Sequence, residues 1–229
     1  MLTKEITTSR FDTFSAKELV LWADRKFSDG LVMSTSFGIQ SAVTLHLTTQ
    51  IRPNIPVIWV DTGYLPQETI NYARQLTDLL HLNLHVATSP MSPSEMESRF
   101  GRLWESESVE DLNRYDRIRK IEPMQGAIEK LGATARISGL RADQTDYRSA
   151  LPRAKRTDSI FMVHPILNWT NQDINQYMQE FELPQHPLFE QGYTTVGDAH
   201  SSRPVTALDD SERETRFRGM KQECGLHYD

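Results

Sequence analysis

The chain has 229 residues, of which 38% are hydrophobic and 24% charged, with 11 glycines and 11 prolines. This composition is typical of a globular protein with a substantial core, and it excludes collagen-like and intrinsically disordered classes. No apolar stretch approaches the roughly 20 residues that cross a membrane, and the first residues are polar where a secretory signal would be apolar. We therefore expect a cytoplasmic protein without a membrane partner.

Net charge is −6, which disfavours a nucleic-acid partner because affinity for a phosphate backbone requires a basic surface. Positive charge is nevertheless concentrated locally. Residues 136–156 hold six basic side chains against two acidic ones, and residues 114–120 hold four against one. Such clusters favour a small polyanionic ligand, although ion pairs along exposed helices would explain either segment by itself.

The first predicted helix follows Ser15, which has the capping-box spacing to Glu18, and it ends at Gly30. From there short apolar strands alternate with amphipathic helices. The predicted strands are 31–33, 56–60, 82–87, 135–140 and 161–163, and the predicted helices are 39–47, 66–80, 122–131 and 171–181. This alternation predicts an α/β fold with a mainly parallel twisted sheet flanked by helices, whose ligands bind at the carboxyl ends of the strands. We divide the chain into an α/β domain, residues 1–205, and a flexible C-terminal tail, residues 206–229.

The turn after the first strand, residues 34–41, combines several hydroxyl side chains with a glycine and an amide at a strand-to-helix junction. Backbone N–H groups and the helix dipole at such a junction favour phosphate or sulfate. Alternatively, Ser36 or Ser41 only caps the helix and Gly38 only eases the turn. No Gly-Lys-Ser/Thr follows, so a P-loop ATPase or kinase is disfavoured.

The second predicted strand ends at Asp61-Thr62-Gly63, on the same edge of a parallel sheet as the first turn. Asp61 would either bond a ribose or adenine group or cap the next helix, since Asp and Gly are common turn residues.

Five segments lie at or beyond these elements: Ser34-x-Ser36-Phe37-Gly38-Ile39-Gln40-Ser41, Asp61-Thr62-Gly63-Tyr64, Gly139-Leu140-Arg141-x-x-Gln144, Gly192-Tyr193 and Glu223-Cys224-Gly225-Leu226-His227. In this order, from about residue 31 to 227, they closely resemble the phosphoadenylyl-sulfate reductases of assimilatory sulfate reduction. The resemblance implies an adenine-nucleotide alpha-hydrolase-like fold. It also implies conversion of 3′-phosphoadenylyl sulfate to sulfite and adenosine 3′,5′-bisphosphate, with thioredoxin as external reductant and a homodimer as the common assembly.

Cys224 is the only cysteine, so one chain can form neither an internal disulfide nor an all-cysteine metal cage. A lone cysteine is either a small buried hydrophobe or a nucleophile. Its place in a charged terminus beside Lys221 and His227 favours the nucleophile, because nearby cations lower a thiol's pKa. The resemblance implies that the thiolate takes the sulfonate, giving a cysteine S-sulfonate from which thioredoxin releases sulfite.

The resemblance also assigns the substrate-binding residues. It places Lys120 and Arg216 on the phosphosulfate, Arg141 on the nucleotide and His227 on substrate or partner, while Arg148 either binds substrate or braces its loop. The full predicted set is Ser34, Ser36, Phe37, Gly38, Gln40, Ser41, Asp61, Thr62, Lys120, Gly139, Arg141, Arg148, Arg216 and His227, with Cys224 as the catalytic residue.

A sister family that uses adenylyl sulfate holds an iron-sulfur cluster on a Cys-Cys pair and a later Cys-x-x-Cys. Alignment through the shared motifs puts these positions at Tyr115, Asp116, Asp198 and Ser201, none of which is a cysteine. We therefore expect no cluster, no metal and no bound cofactor, and a 3′-phosphorylated nucleotide as substrate. The alternatives are a reductase that prefers adenylyl sulfate, an AMP-forming enzyme that uses ATP and magnesium, and a non-catalytic nucleotide-binding regulator.

Overall fold

A computed structural model describes residues 11–207, 209, 215, 219–221, 223, 225 and 226. Within that part of the chain six strands form one sheet in the order β3-β2-β1-β4-β6-β5. The strands are β1 Leu31–Thr35, β2 Pro56–Asp61, β3 Asn83–Thr88, β4 Ala135–Ile137, β5 Ala154–Arg156 and β6 Phe161–Val163. All neighbouring strands are parallel except β5 and β6. The predicted mainly parallel α/β fold is therefore confirmed.

The helices are α1 Ala16–Phe27, α2 Ser41–Thr49, α3 Gln67–Leu80, α4 Pro93–Phe100, α5 Val109–Asp116, α6 Glu122–Lys130, α7 Asp146–Ser149 and α8 Asn171–Glu180. The predicted capping box of α1 is present: Ser15 accepts from the Glu18 N–H, and the Glu18 carboxylate accepts from the Ser15 N–H. Among the described residues, no helix has both the length and the apolar character needed to cross a membrane.

The order of the strands fixes where a ligand can bind. The chain runs outward from β1 to β2 and β3, then returns to pair β4 with the other side of β1. The loops that follow β1 and β4 therefore lead away in opposite directions and leave a crevice between them. In open α/β sheets this reversal point is where ligands bind.

Alternating side chains of β1 hold the layers together. Leu31 and Met33 pack into the main core with α1, α2 and α3, while Val32 faces the opposite layer with Ile58 and Met124 of α6. A strand buried on both faces carries apolar side chains at successive positions, which explains the apolar run at 31–33.

Three features differ from the sequence prediction. The fourth strand ends at Ile137, because residues 138–140 leave the ladder to form the turn that follows it. The antiparallel strand β5 and helices α4, α5 and α7 were not predicted; each has eight residues or fewer, which is shorter than the window over which hydrophobic periodicity identifies an element. The ends of the other elements differ by a few residues, as helix and strand ends often do.

Candidate active site

A cavity of about 240 Å³ opens at the carboxyl ends of β1, β2 and β4. It is lined from within four segments, residues 33–41, 60–65, 138–148 and 194–198, together with Thr44, Lys120, Met124, Ile166 and Leu226. Ten predicted site residues lie on its wall: Ser34, Ser36, Gly38, Gln40, Ser41, Thr62, Lys120, Gly139, Arg141 and Arg148. The sequence motifs thus converge on the crevice that the strand order creates.

The turn after β1 presents an open helix N-terminus to this cavity. Gln40 is the N-cap of α2, yet its side chain makes no capping bond, and the Ser41 hydroxyl donates to the Gly38 carbonyl at 2.8 Å. Neither side chain caps α2, although the Ser41 and Val43 N–H groups donate to the Gly38 and Gln40 carbonyls at 3.0 and 3.4 Å. The dipole of α2 favours an anion at this position.

Phe37 supports the turn from inside the protein and does not line the cavity. Its backbone has a positive φ of 49° and its N–H donates to the Thr35 hydroxyl at 3.1 Å. The side chain is fully buried and meets the Trp59 ring edge-on at a centroid distance of 5.2 Å. Burial of the ring offsets the strain of the left-handed conformation and fixes the path of the turn.

Asp61 and Thr62, at the end of β2, have separate roles. The Asp61 carboxylate accepts from the Gly63 N–H at 2.8 Å and lies off the cavity wall; it does not cap the following helix, whose N-cap is Pro66, and its predicted contact with a ligand stays a prediction. Thr62 lies on the wall, and its hydroxyl donates to the carboxylate of Asp198.

A buried ion-pair network closes one end of the cavity. The Lys120 ammonium lies 2.8 Å from Asp116 Oδ1 and 2.9 Å from Asp198 Oδ2, and all three side chains are buried. Burial by itself would raise the pKa of Asp198, but the charge of Lys120 and the bond from Thr62 outweigh it and hold the pKa below its usual value. Asp198 is therefore ionised, and Lys120 brings its positive charge to the cavity already paired with carboxylates.

A π-helical segment, Arg117–Ile121, places Lys120 in this network. The extra residue in the turn between α5 and α6 also directs Arg119 inward, where its Nε donates to the Thr62 carbonyl at 2.7 Å. Single π-turns of this kind often occur at functional sites. The resemblance to the family identified Lys120, but nothing in the local sequence predicted the π-helical turn that buries it.

The turn after β4 approaches helix α2 at Gly139 and is linked to the first turn through Asn171. A Cβ atom on Gly139 would lie 2.6 Å from Thr44 Oγ1, so only glycine fits without a shift. The buried guanidinium of Arg141 donates from Nη2 to Asn171 Oδ1 at 2.7 Å, and the same oxygen accepts from Gln40 Nε2 at 3.0 Å. Asn171 was not predicted; as the first residue of α8 it had no motif of its own.

The guanidinium of Arg148 donates hydrogen bonds to other side chains of the protein. Its Nε and Nη2 reach the two carboxylate oxygens of Glu223 at 2.7 and 2.8 Å, and its Nη1 donates to Gln144. Both members of the ion pair are buried. Its predicted role in binding substrate stays a prediction, whereas the contact with the C-terminal segment is observed.

The sequence missed a second buried pair behind the turn that follows β4. The Ser138 hydroxyl lies 2.8 Å from His164 Nδ1, and Ser138 lies on the cavity wall. Burial, with further contributions from nearby cations such as Arg136, lowers the pKa of His164 to about 3. The imidazole is therefore neutral at pH 7.

The predicted catalytic residue Cys224 and the predicted contacts Arg216 and His227 lie outside the described residues. Glu223 and Gly225, which flank Cys224 in the sequence, are described, and so is Leu226, which lines the cavity. The chemistry predicted for Cys224 stays a prediction at this point.

Residues other than cysteine occupy the four positions that carry cluster cysteines in the sister family, and three of them, Tyr115, Asp116 and Asp198, make specific side-chain contacts. Tyr115 meets His200 at 3.0 Å through its hydroxyl, and His200 stacks on Trp104 at a centroid distance of 4.5 Å. Asp116 and Asp198 both pair with Lys120. No group of three or more potential metal-ligating side chains occurs within the described ranges.

The fold and the cavity define the class of protein. A parallel sheet with a reversal between β1 and β4, an open helix N-terminus at the crevice and buried cations around it indicate an α/β enzyme with an adenine-nucleotide alpha-hydrolase-like fold. The comparisons with known proteins identify the family within that class.

The phosphoadenosine phosphosulfate reductase domain matches residues 30–204. The chain is 57% identical over 213 residues to a phosphoadenosine 5′-phosphosulfate reductase of Synechococcus sp., covering 93% of this chain and 92% of that protein. It is 54% identical to the enzyme of the same name from Synechocystis sp., covering 96% of this chain and 88% of that protein. The chain belongs to the phosphoadenosine phosphosulfate reductase family and is an enzyme of this kind.

Solved structures agree with this assignment. A phosphoadenylyl-sulfate reductase from Candida auris, solved as a phosphate complex, superposes with a TM-score of 0.74 at 26% identity, covering 89% of this chain and 99% of that one. The FMN adenylyltransferase of Candida glabrata superposes with a TM-score of 0.61 at 15% identity, covering 97% of this chain and 79% of that one. The second likeness is one of fold alone.

Proposed function

We propose that this enzyme reduces 3′-phosphoadenylyl sulfate to sulfite and adenosine 3′,5′-bisphosphate in assimilatory sulfate reduction, through a sulfonate carried on Cys224 and with thioredoxin as reductant. The observation that carries the proposal is the convergence of the motif residues on one cavity at the strand reversal, inside a chain of this family.

The first step requires a nucleophile and a site for an anionic leaving group. The Cys224 thiolate attacks the sulfonate sulfur, the bond from that sulfur to the bridging phosphate oxygen breaks, and the nucleotide leaves with the electron pair. Because a departing phosphate oxygen has a low pKa, no general acid is needed. The α2 N-terminus and the side chains of Lys120 and Arg141 supply the positive potential that stabilises the developing charge.

The second step requires an outside dithiol, because the chain has only one cysteine. A thioredoxin thiolate attacks Cys224 Sγ, sulfite leaves with the bonding electrons, and a mixed disulfide remains. The second thioredoxin thiol then attacks its partner sulfur and releases Cys224 as a thiolate. The two electrons that reduce the sulfonate to sulfite thus come from the thioredoxin dithiol, and no resident cofactor or iron-sulfur cluster takes part.

Four further assignments belong to the same proposal. Residues 1–205 form the nucleotide-binding domain and residues 206–229 a flexible catalytic tail that brings Cys224 to the cavity. Arg216 and His227 contact the phosphosulfate and the substrate or partner respectively. The assembly is a homodimer, and the location is the cytoplasm, where a reducing compartment keeps a lone thiol available.

The deciding experiment is intact-mass spectrometry of the reduced protein after it is mixed with 3′-phosphoadenylyl sulfate and, in a parallel sample, with adenylyl sulfate. We expect a gain of one sulfonate with the 3′-phosphorylated nucleotide, and its loss with sulfite release when reduced thioredoxin is added. The Cys224→Ser variant is expected to bind the nucleotide without gaining the sulfonate. Full turnover by that variant would refute the mechanism, and equal labelling by both nucleotides would refute the substrate preference.

A further inference from the structure

The C-terminal segment returns to the body of the protein through charged anchors on both sides of Cys224 in the sequence. Before it, Lys221 Nζ lies 2.6 Å from Asp116 Oδ2, and Glu223 pairs with Arg148. After it, the Leu226 carbonyl accepts from Arg136 Nη2 at 2.6 Å. Three described residues, Lys221, Glu223 and Leu226, thus contact three different elements of the body, α5, α7 and β4.

The Glu223–Arg148 contact is the most extensive of the three. It is a two-pronged pair, with Nε and Nη2 of the guanidinium on Oε1 and Oε2 of the carboxylate, and the Thr145 hydroxyl donates to Oε1 at 2.8 Å. The exposed fraction is 5% for Glu223 and 6% for Arg148. A buried bidentate pair has fixed geometry and little screening by salt, unlike an exposed ion pair.

The position of this pair links the segment to the cavity. Arg148 and Leu226 both line the cavity wall, and Leu226 also packs against the layer that contains Met124. The residues on either side of Cys224 are therefore fixed beside the proposed substrate site. Arg148 belongs to the α/β body and lines the cavity, so its ion pair with Glu223 forms only when residue 223 lies beside the cavity.

We infer that the Glu223–Arg148 ion pair docks the C-terminal segment at the cavity and makes Glu223 a positioning residue for Cys224. The inference rests on the proposed function only for the role of Cys224; the docking contact is independent of it. Without this contact the Cys224 thiol is not held in a fixed orientation toward the substrate sulfur. Sulfonate transfer would then be slower, while nucleotide binding would not be weakened.

The test uses the full chain with Glu223→Gln, which removes the charge and keeps the shape. Hydrogen exchange of the peptide that covers residues 219–226 reports docking directly. Titration with adenosine 3′,5′-bisphosphate reports nucleotide affinity, and intact mass in a single turnover reports the rate of sulfonate transfer to the only cysteine. The matched control is Asp209→Asn, which breaks the ion pair with Arg203 earlier in the same segment.

For Glu223→Gln we expect faster exchange in that peptide and sulfonate transfer slower by about tenfold or more, because one partner of a buried pair is lost. Nucleotide affinity should stay within about twofold, since Glu223 is not on the cavity wall. The control should match the wild type in all three measurements. The double variant Glu223→Gln/Arg148→Gln should exchange no faster than the single one, since both partners of the contact are then removed.

The outcomes separate the docking contact from the proposed function. A wild type that never gains the sulfonate would refute the proposed function, while its exchange rates would still test docking. Unchanged exchange in Glu223→Gln would overturn the docking contact. Faster exchange with an unchanged rate of transfer would overturn its role in positioning Cys224. If Glu223→Gln does not fold, Glu223→Asp, which shortens the reach of the carboxylate, serves for the same three measurements.

Discussion

The Lys120 ammonium lies 2.9 Å from the Asp198 carboxylate, and both side chains are buried where the cavity meets the segment at 194–198. The pair joins the π-helical segment to a loop 78 positions further along the chain, and Asp116 shares the same ammonium. Lys120 therefore holds the wall of the site together in addition to bringing positive charge to it. Two experiments test the structural role.

The first prediction concerns the loss of this cation. Lys120→Met leaves Asp116 and Asp198 buried with less compensation, so the free energy of unfolding at pH 7 should fall by about 3–5 kcal/mol. Urea denaturation measures it, with the exposed Lys26→Met as control. A loss no larger than that of the control would contradict the structural role of Lys120.

In the same variant the contribution of Asp198 to stability should depend on pH in the opposite sense from the wild type. In the wild type the pKa of Asp198 is held below its usual value, so the pair's stabilisation is lost as pH falls through that lowered value. Without Lys120, burial raises the pKa of Asp198 above its unfolded value, so the variant should lose less stability than the wild type between pH 7 and pH 5. Denaturation curves at both pH values check the sign.

The second prediction concerns His164, whose pKa burial lowers to about 3 from an ordinary value of 6.5. Because the unfolded chain binds the proton more readily, His164 stabilises the fold above pH 6.5 and loses that contribution as pH falls toward 3. Between pH 7 and pH 5 the wild type should lose about 2 kcal/mol more than His164→Asn. The exposed His81→Asn should keep the pH dependence of the wild type, and a similar curve for His164→Asn would disprove the assignment.

The third prediction concerns the close approach of Gly139 to Thr44. Gly139→Ala should cost about 1–3 kcal/mol of stability and weaken nucleotide binding, because the added methyl group displaces a turn that lines the cavity. Adding Thr44→Ala should recover much of the loss. Gly126→Ala in α6, where no atom lies within 4 Å of the new Cβ, is the matched control and should be neutral or stabilising. Additive losses in the double variant would contradict this account.

The fourth prediction concerns Asn171, whose side-chain oxygen accepts from both Gln40 and Arg141. Asn171→Ala releases two cavity-lining side chains at once and should weaken binding of adenosine 3′,5′-bisphosphate by about tenfold. Titration calorimetry measures the change, with the exposed neighbour Gln172→Ala as control. Equal affinities for the two variants would show that Asn171 does not organise the site.

Much of the site was predictable because its residues lie at strand ends. A buried strand is an apolar run, and the polar turn directly after it must lie at the carboxyl edge of a parallel sheet. For that reason the turn at 34–41 and Thr62 were predicted from the sequence pattern, and they lie on one cavity wall. Gly139, which the pattern put inside the fourth strand, was identified only through the family resemblance. Phe37 and Asp61 lie in the same turns but support them from behind.

Other parts of the site depend on neighbours that are far away in the sequence. Asn171, Asp198 and Glu223 are ordinary polar residues in their local context, and no period or motif distinguishes them from solvated side chains. Their partners are Arg141, Lys120 and Arg148, at sequence separations of 30, 78 and 75 residues. Only the packing of the sheet brings each pair together, and it buries the Lys120–Asp198 and Arg148–Glu223 pairs away from water.

The sequence by itself determined the α/β class, the order of strands and helices around the two main turns, and the single thiol available to the chemistry. These depend on local hydrophobic periodicity, turn residues and composition, all of which are present in a short window of chain. The tertiary structure decided which cations face the cavity, which are paired, and where residues 221–226 meet the body. Those outcomes depend on burial and on contacts between distant segments, because the interaction of two charges is set by their separation and their exposure to water.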